Sequence, residues 1–285
     1  MTASQITLET MTPDHLDAAV ALSQQAGWPH RHEDWTLALA LSTGVVALDD
    51  GRVVGTALTT PFGDDTATIN MVIVDESMRG RGLGRKLMQA ALDAASDRTC
   101  LLVATQDGLP LYEKLGFVAT GEIVQHQGMA AKVETPDNVS WAIDADRDRC
   151  VALDRKATGQ DRSALMGLLG ECARFAVIRA GDRVEAFAAI RPFGRGLVIG
   201  PVVARDDADA KALIDFLLSH HAGEFARVDT DVARGLPQWL EARGLQHVGG
   251  GIPMRRAPMH RAAGAPDENG GAEYRTYALV NQALG

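Results

Sequence analysis

Apolar residues along the first 130 positions alternate between helical and extended spacing. Ile6 to Leu8 reads as a short strand. Thr12-Pro13-Asp14 reads as an N-cap with proline in the first turn, and it opens an amphipathic helix to about Gln25 that Gly27-Trp28-Pro29 stops. A second helix is expected from Asp34 to Leu41. Strands Val45 to Leu48 and Val53 to Thr59 flank Asp49-Asp50-Gly51, a hairpin signal. A further strand spans Thr68 to Val74 after the turn at Gly63-Asp64-Asp65. A helix from about Leu83 to Ala95 follows, with Leu83, Leu87, Ala90, Ala91 and Ala94 on one face. Leu101 to Thr105 is the continuous apolar run of a buried strand. Leu109-Pro110 opens a short helix ending at Gly116, and Phe117 to Gln125 is a closing strand.

Glu134 to Ser140 contains Thr-Pro-Asp-Asn and reads as a linker, dividing the chain into residues 1–136 and 137–285. A second series starts near Trp141. Asp161 is placed to cap a helix carrying Leu165, Met166, Leu168 and Leu169. Phe175 to Arg179 and Arg183 to Arg191 flank Ala180-Gly181-Asp182, a second hairpin. Strand Leu197 to Val203 and helix Ala208 to His220 follow. Arg227 to Val232, Leu236 to Arg243 and Gln246 to Met254 then read strand, helix, strand. Ala262 to Ala272 reads as a loop and Tyr274 to Val280 as a last strand. Both halves share one order of elements, which predicts a duplicated α/β architecture with a mixed, partly antiparallel sheet.

The 285 residues suit about two domains at roughly 150 residues each. With 46% hydrophobic and 23% charged residues, the composition is globular and excludes wholesale disorder. No run approaches the roughly 18 apolar residues of a membrane span. Met1 to Met11 lacks the pattern of a secretory signal, so a cytoplasmic location is expected. Cys100, Cys150 and Cys172 are odd in number and lack metal-ligand spacing; no metal is expected. Residues 1–130 hold 8 Lys+Arg against 16 Asp+Glu, most of the net charge of −9. Nucleic-acid binding is therefore disfavoured, and attraction of an amine is a second reading of the acidity beside plain solubility.

The segment from Ile69 to Arg85 runs strand, glycine-rich turn, helix. Gly80, Gly82 and Gly84 open the backbone for close approach, and Arg79, Arg81 and Arg85 add positive charge beside a helix N-terminus, an arrangement that holds an anion. It has neither the G-x-x-x-x-G-K-S/T of a Walker loop nor the G-x-G-x-x-G of a dinucleotide fold. R-x-x-G-x-G remains, at Arg79, Gly82 and Gly84. About 30 residues later comes Leu111-Tyr112-Glu113-Lys114-Leu115-Gly116-Phe117.

Together these resemble the GNAT superfamily of acyl-CoA N-acyltransferases over residues 4–130. The resemblance implies a GNAT fold, with acetyl-CoA as donor and its pyrophosphate on the amides of Arg79, Gly80, Arg81, Gly82, Leu83, Gly84 and Arg85. It implies that the strand around Ile73 and Val74 pairs with the pantetheine arm beside a bulge, and that Tyr112 is the general acid for the departing thiolate. It also implies an acceptor pocket lined by the segment between the first two helices, here Trp28, His30, His32, Glu33, Asp34 and Trp35. Asp34 could equally cap the second helix, and the tryptophans could be core.

Gly27-Trp-Pro-His-Arg31 with Asp34-Trp35, Leu153 to Arg162 and Ile199 to Ala204 resemble two-domain bacterial GNAT proteins with a degenerate second domain. The second half departs from the cofactor pattern: Ala208 stands where Arg79 does, and Leu240 where Tyr112 does. It is therefore expected not to bind coenzyme A, and to shape the acceptor pocket or stabilise the first half. The expected reaction is acetylation of a small-molecule amine by direct attack, with no nucleic-acid or membrane partner and a homodimer left open. A protein lysine or N-terminal acetyltransferase and a non-catalytic acyl-CoA sensor are the alternatives.

Overall fold

The computed structural model describes residues 6–258 and 273–285. The loop expected at Ala262 to Ala272 lies outside the described residues. The first half runs β1 (Ile6–Thr10), α1 (Leu16–Gln25), α2 (His32–Ala40), β2 (Thr43–Asp49), β3 (Arg52–Phe62), β4 (Thr66–Val74), α3 (Leu83–Ala95), β5 (Thr99–Ala104), α4 (Leu109–Lys114), β6 (Val118–Ala119) and β7 (Ile123–Met129). The second runs β8 (Val139–Trp141), α5 (Arg147–Thr158), α6 (Ser163–Cys172), β9 (Arg174–Ala180), β10 (Arg183–Phe193), β11 (Gly196–Ala204), α7 (Asp207–His220), β12 (Phe225–Asp231), α8 (Pro237–Glu241), β13 (Gln246–Arg256) and β14 (Arg275–Ala278).

Side-chain alternation along the strands builds two cores in the first half. Ala47, Val54, Ala57 and Ile69 face α3, whereas Val46, Val53, Leu58, Met71 and Ile73 face α1 and α2. The buried stripe of α3 is Leu83, Leu87, Met88, Ala91, Leu92 and Ala95; Ala94, expected on it, is exposed because the helix meets the sheet a fraction of a turn further round. Both hairpins form at the expected turns, with Asp50 and Gly51 at φ 49° and 81° and Gly181 at φ 62°. Helix α5 was not legible from periodicity, since its exposed face is crowded with Arg, Asp and Lys and its buried face is only Cys150, Leu153, Asp154 and Ala157.

All strands but β6 and β14 lie on one path of sheet, in the order β1-β2-β3-β4-β5-β13-β7-β12-β11-β10-β9-β8. The closing strands of the two halves are exchanged. β13 pairs with β5 from Ile252↔Ala104 to Arg256↔Cys100, while β7 pairs with β12 from Ile123↔Asp231 to Met129↔Phe225. The two exchanged strands also pair with each other, antiparallel, from Gln246↔Gln127 to Gly251↔Ile123. A cut at 136/137 thus separates β7 from its partners β12 and β13.

Close backbone approach at this crossing needs glycine. A Cβ on Gly128 would lie 2.2 Å from the carbonyl oxygen of Gly244, and one on Gly250 would lie 2.0 Å from that of Ile123. Gly128→Ala is expected to destabilise the protein by about 1–3 kcal/mol through this overpacking. Urea denaturation followed by circular dichroism measures it. A transition midpoint equal to that of the unsubstituted protein would show that the crossing tolerates a methyl group.

Candidate active site

β4 and β5 are parallel partners only from Thr66↔Thr99 to Thr68↔Leu101, and beyond that they part. β4 also carries a bulge. Thr56 of β3 faces Ile73, yet Leu58 faces Asn70, so Met71 and Val72 share one partner position. Met71 takes φ 50°, and Thr56 Oγ1 donates to its carbonyl at 2.7 Å. The bulge also switches faces: Ile69 points to the α3 core, and Met71 to the α1–α2 core.

At the C-terminal end of β4 the chain turns into α3. Gly80 and Gly82 take φ 76° and 77°, with open space where a Cβ would stand. The amides of Leu83, Gly84 and Arg85 precede the first intrahelical hydrogen bond, Lys86 N–H to Gly82 O at 3.2 Å. Arg79, Arg81 and Arg85 are exposed, and none has a carboxylate partner among the described residues. Left-handed glycines, unsatisfied amides at a helix start and unpaired guanidiniums together fit a polyanion such as a pyrophosphate.

The gap opens into a cavity of about 350 Å³ walled by both halves of the chain. Its floor on β4 is Ile69 to Val72, not Ile73 and Val74. Ile73 is instead buried in the α1–α2 core, and Val74 packs on the α3 side. Tyr112 reaches the cavity from α4, folded back over Gly108, where a Cβ would come within 2.7 Å of its ring. Burial pushes the Tyr112 hydroxyl up to about 12. It stays protonated at neutral pH, so it stands ready to give a proton.

The segment between α1 and α2 divides into separate roles. Trp28 and His30 line the cavity. Trp35 does not: it is fully buried in the core and donates its indole N–H to Ser23 Oγ at 3.1 Å. Asp34 caps α2 by accepting from Arg31 N–H at 2.9 Å, and ties the segment to the second half through Gly194 N–H at 3.0 Å and Arg191 at 3.6 Å. Burial raises the Asp34 carboxyl, but the hydrogen bonds from Arg31 and Gly194 outweigh it and hold it below the usual range. His32 and Glu33 are exposed on α2, with His32 facing Asp17 at 3.9 Å. Of the six expected acceptor residues, two reach the cavity.

The other walls come from residues that the sequence pattern did not single out. Asn70 sits on β4, Gln125 and Gln127 on β7, Arg227 on β12, Phe193 and Arg195 at the β10–β11 turn, and Asn281 and Gln282 after β14. Arg227 makes a two-pronged pair with the fully buried Asp229, at 2.8 and 3.0 Å, and Gln282 Nε2 donates to the same carboxylate at 2.8 Å. The legible signal was polar residues two apart in buried strands, Gln125/Gln127 and Arg227/Asp229, which share a strand face.

The second half has the counterpart of the β4–β5 gap, and the chain fills it. β11 and β12 pair only at Leu197↔Ala226 and Val198↔Arg227, after which β14 lies against β11 from Ala204↔Arg275 to Val202↔Ala278. Thr230 Oγ1 donates to Tyr277 O at 2.6 Å, and Leu279 N–H to Asp229 O at 2.8 Å. The turn into α7 carries Asp206 and Asp207 in place of glycine, with Asp206 accepting from Asp209 N–H at 3.0 Å.

Two family models match the chain, the acetyltransferase (GNAT) family over residues 8–117 and the acetyltransferase (GNAT) domain over residues 150–264. The chain therefore belongs to the GNAT acetyltransferases and carries two GNAT domains in tandem. It is 28% identical over 287 residues to YitH, an uncharacterized N-acetyltransferase of Bacillus subtilis (strain 168), covering 95% of this chain and 96% of that one. It is 29% identical over 165 residues to a holothin acyltransferase of Pseudoalteromonas sp. (strain SANK 73390), 55% of each chain. In fold it resembles the crystal structure of a protein from Pyrococcus horikoshii assigned as an acetyltransferase, with a TM-score of 0.80 at 19% identity over 98% of this chain and 96% of that one.

His30 makes the cavity wall sensitive to acid. Burial lowers its imidazole from 6.5 to about 4; Asp34 opposes this, and Arg227 and Arg191 add to it. Its Nδ1 is buried without a hydrogen-bond partner. Between these two pH values the unfolded chain binds the proton more tightly, so stability is complete above pH 6.5 and falls as the pH drops toward 4, by about 3 kcal/mol from this group. Urea denaturation across that window is expected to show a shallower loss for His30→Phe than for the unsubstituted protein. Equal slopes would exclude His30 as the titrating group.

Proposed function

We propose that this acetyltransferase moves an acetyl group from acetyl-CoA to the primary amine of a small molecule, within a ternary complex. One observation carries the reading: β4 parts from β5, and Tyr112 reaches a cavity lined by both strands and both halves, on a helix whose Leu111 lies beside Gly84 of the glycine–arginine turn. Enclosure by Trp28, Phe193 and Gln282 favours a small acceptor over a protein chain. Among the described residues, no helix is long and apolar enough to cross a membrane.

Acetyl-CoA supplies the acetyl group as a thioester. The amides and guanidiniums of residues 79–85 hold its pyrophosphate. The bulge at Met71 and Val72 leaves a backbone N–H of β4 outside the ladder, suited to donate to the thioester carbonyl. The amine nitrogen bonds to the carbonyl carbon, the carbon–sulfur bond breaks, and Tyr112 Oη–H gives its proton to the departing sulfur. A proton released by the amine nitrogen restores Tyr112. The second half handles no coenzyme, because β14 occupies its cleft, and contributes the acceptor wall.

Tyr112→Phe is expected to lower kcat for thiol release about 10²-fold while coenzyme affinity stays within about twofold. A kcat that survives unchanged removes Tyr112 as the acid. Calorimetry is expected to give one coenzyme A per chain, and Gly82→Glu to abolish that binding through strain at φ 77° and charge repulsion. Two equivalents per chain, or retained affinity in the variant, would overturn the assignment of the turn.

A further inference from the structure

The walls of the cavity also restrict the kind of amine. We propose that the acceptor is a weakly basic aryl or heteroaryl amine that enters uncharged, and not an alkylammonium such as a lysine side chain. The inference rests on the acetyl-transfer reading and narrows it.

The charged side chains that line the cavity are both cations, Arg195 and Arg227. Arg195 is exposed and has no carboxylate partner among the described residues. The countercharge of Arg227 is Asp229, which is fully buried and has both oxygens engaged by Arg227 and one also by Gln282. Behind Phe193, Arg191 shares the single carboxylate of Asp34 with Arg31. This wall therefore carries more guanidiniums than carboxylates. An entering ammonium would give up water to meet like charge.

The aromatic surface offers a cation little. Guanidiniums already stand over Phe193, that of Arg191 at 5.0 Å and that of Arg227 at 5.3 Å from the ring centroid. His30 packs its ring against the edge of Phe193 at 5.3 Å and against Trp28 at 5.8 Å. It remains neutral at physiological pH and is too weak a base to strip a proton from an alkylammonium.

An uncharged arylamine meets none of these obstacles, and the wall has places for it. Trp28, Met71, Val72 and Val103 present apolar surface to a flat ring. Asn70 and His30 line the cavity, and Asn70 Oδ1 and His30 Nδ1 lack hydrogen-bond partners; the first accepts, and the second accepts when the imidazole proton is on Nε2. Asn70 spends its own amide N–H on Thr60 Oγ1 at 2.9 Å, which leaves its carbonyl oxygen as the free end. Such an amine needs no prior deprotonation, so the chemistry requires only the acid, Tyr112.

The test compares amines of matched size, aminothiazole and aniline against benzylamine and n-butylamine, by thiol release at saturating acetyl-CoA from pH 6 to 9. The best arylamine is expected to exceed benzylamine in kcat/KM by at least about 100-fold at pH 7, with a flat profile over that range. Benzylamine or n-butylamine within tenfold of the best arylamine at pH 7 overturns the inference and leaves the acetyl-transfer reading intact. No turnover of any amine, with one coenzyme A bound per chain by calorimetry, overturns both. A second arm uses Gln125→Glu, which adds a carboxylate to the cavity. It is expected to shift the ratio at least tenfold toward benzylamine, with coenzyme affinity unchanged as the check on folding; an unshifted ratio overturns the inference.

Discussion

Two parallel strands that part midway leave backbone N–H and C=O groups facing an empty gap, and a strand so exposed on one edge must be held firmly on the other. β5 is held there by β13, which comes from the second half of the chain. β12 is held in the same way by β7, from the first half. The edge of β5 away from the cleft is therefore covered by a strand the first half does not own. Asp34 repeats this dependence on a smaller scale. One carboxylate caps α2, pairs with Arg31 and Arg191 and receives the Gly194 amide, so the acceptor loop is fixed by the opposite half. Such a buried node tolerates loss of one partner poorly, since the remaining charges are left uncompensated.

Local features were legible in the sequence because local physics decides them. The hairpin at Asp50-Gly51 follows from residues that accept positive φ, α3 from its apolar stripe, and the anion turn from glycines beside arginines. The strand exchange was not legible, because β7 and β13 carry the same pattern whichever edge they join. The acceptor loop misled for a related reason. Trp35 and Asp34 look like pocket residues by type, yet one donates to Ser23 in the core and the other ties two segments 160 positions apart. The other cavity wall lay instead in glutamines and an arginine spread over β7, β12 and the segment after β14, which meet only once the sheet has formed.

The net charge of −9 shows how poorly a chain total reports on a site. The acidity of the first half left attraction of an amine open as a second reading beside plain solubility. The side chains that face the cavity carry the opposite sign, and the turn that suits the pyrophosphate is lined by unpaired arginines. Exposed acids elsewhere, such as Asp17 and Asp64, are screened within about 10 Å at ordinary ionic strength. Only the charges within a few ångströms of the bound molecules decide what enters.

β14 fills the cleft of the second half with the chain's own backbone, and the same segment then runs on to place Asn281, Gln282 and Ala283 in the wall of the other cavity. Its far end is clamped, with Arg162 donating to Gly285 O at 2.7 Å and paired at 2.6 Å with the buried Asp154. The segment that closes the second-half cleft is thus continuous with a wall of the cavity beside β4. On the proposed reading, residues 281–283 can vary, and with them the choice of acceptor, while the glycine–arginine turn and Tyr112 sit on separate elements. On that reading, duplication separates two constraints that a single domain must satisfy with one set of loops: keeping the chemistry constant, and letting the acceptor change.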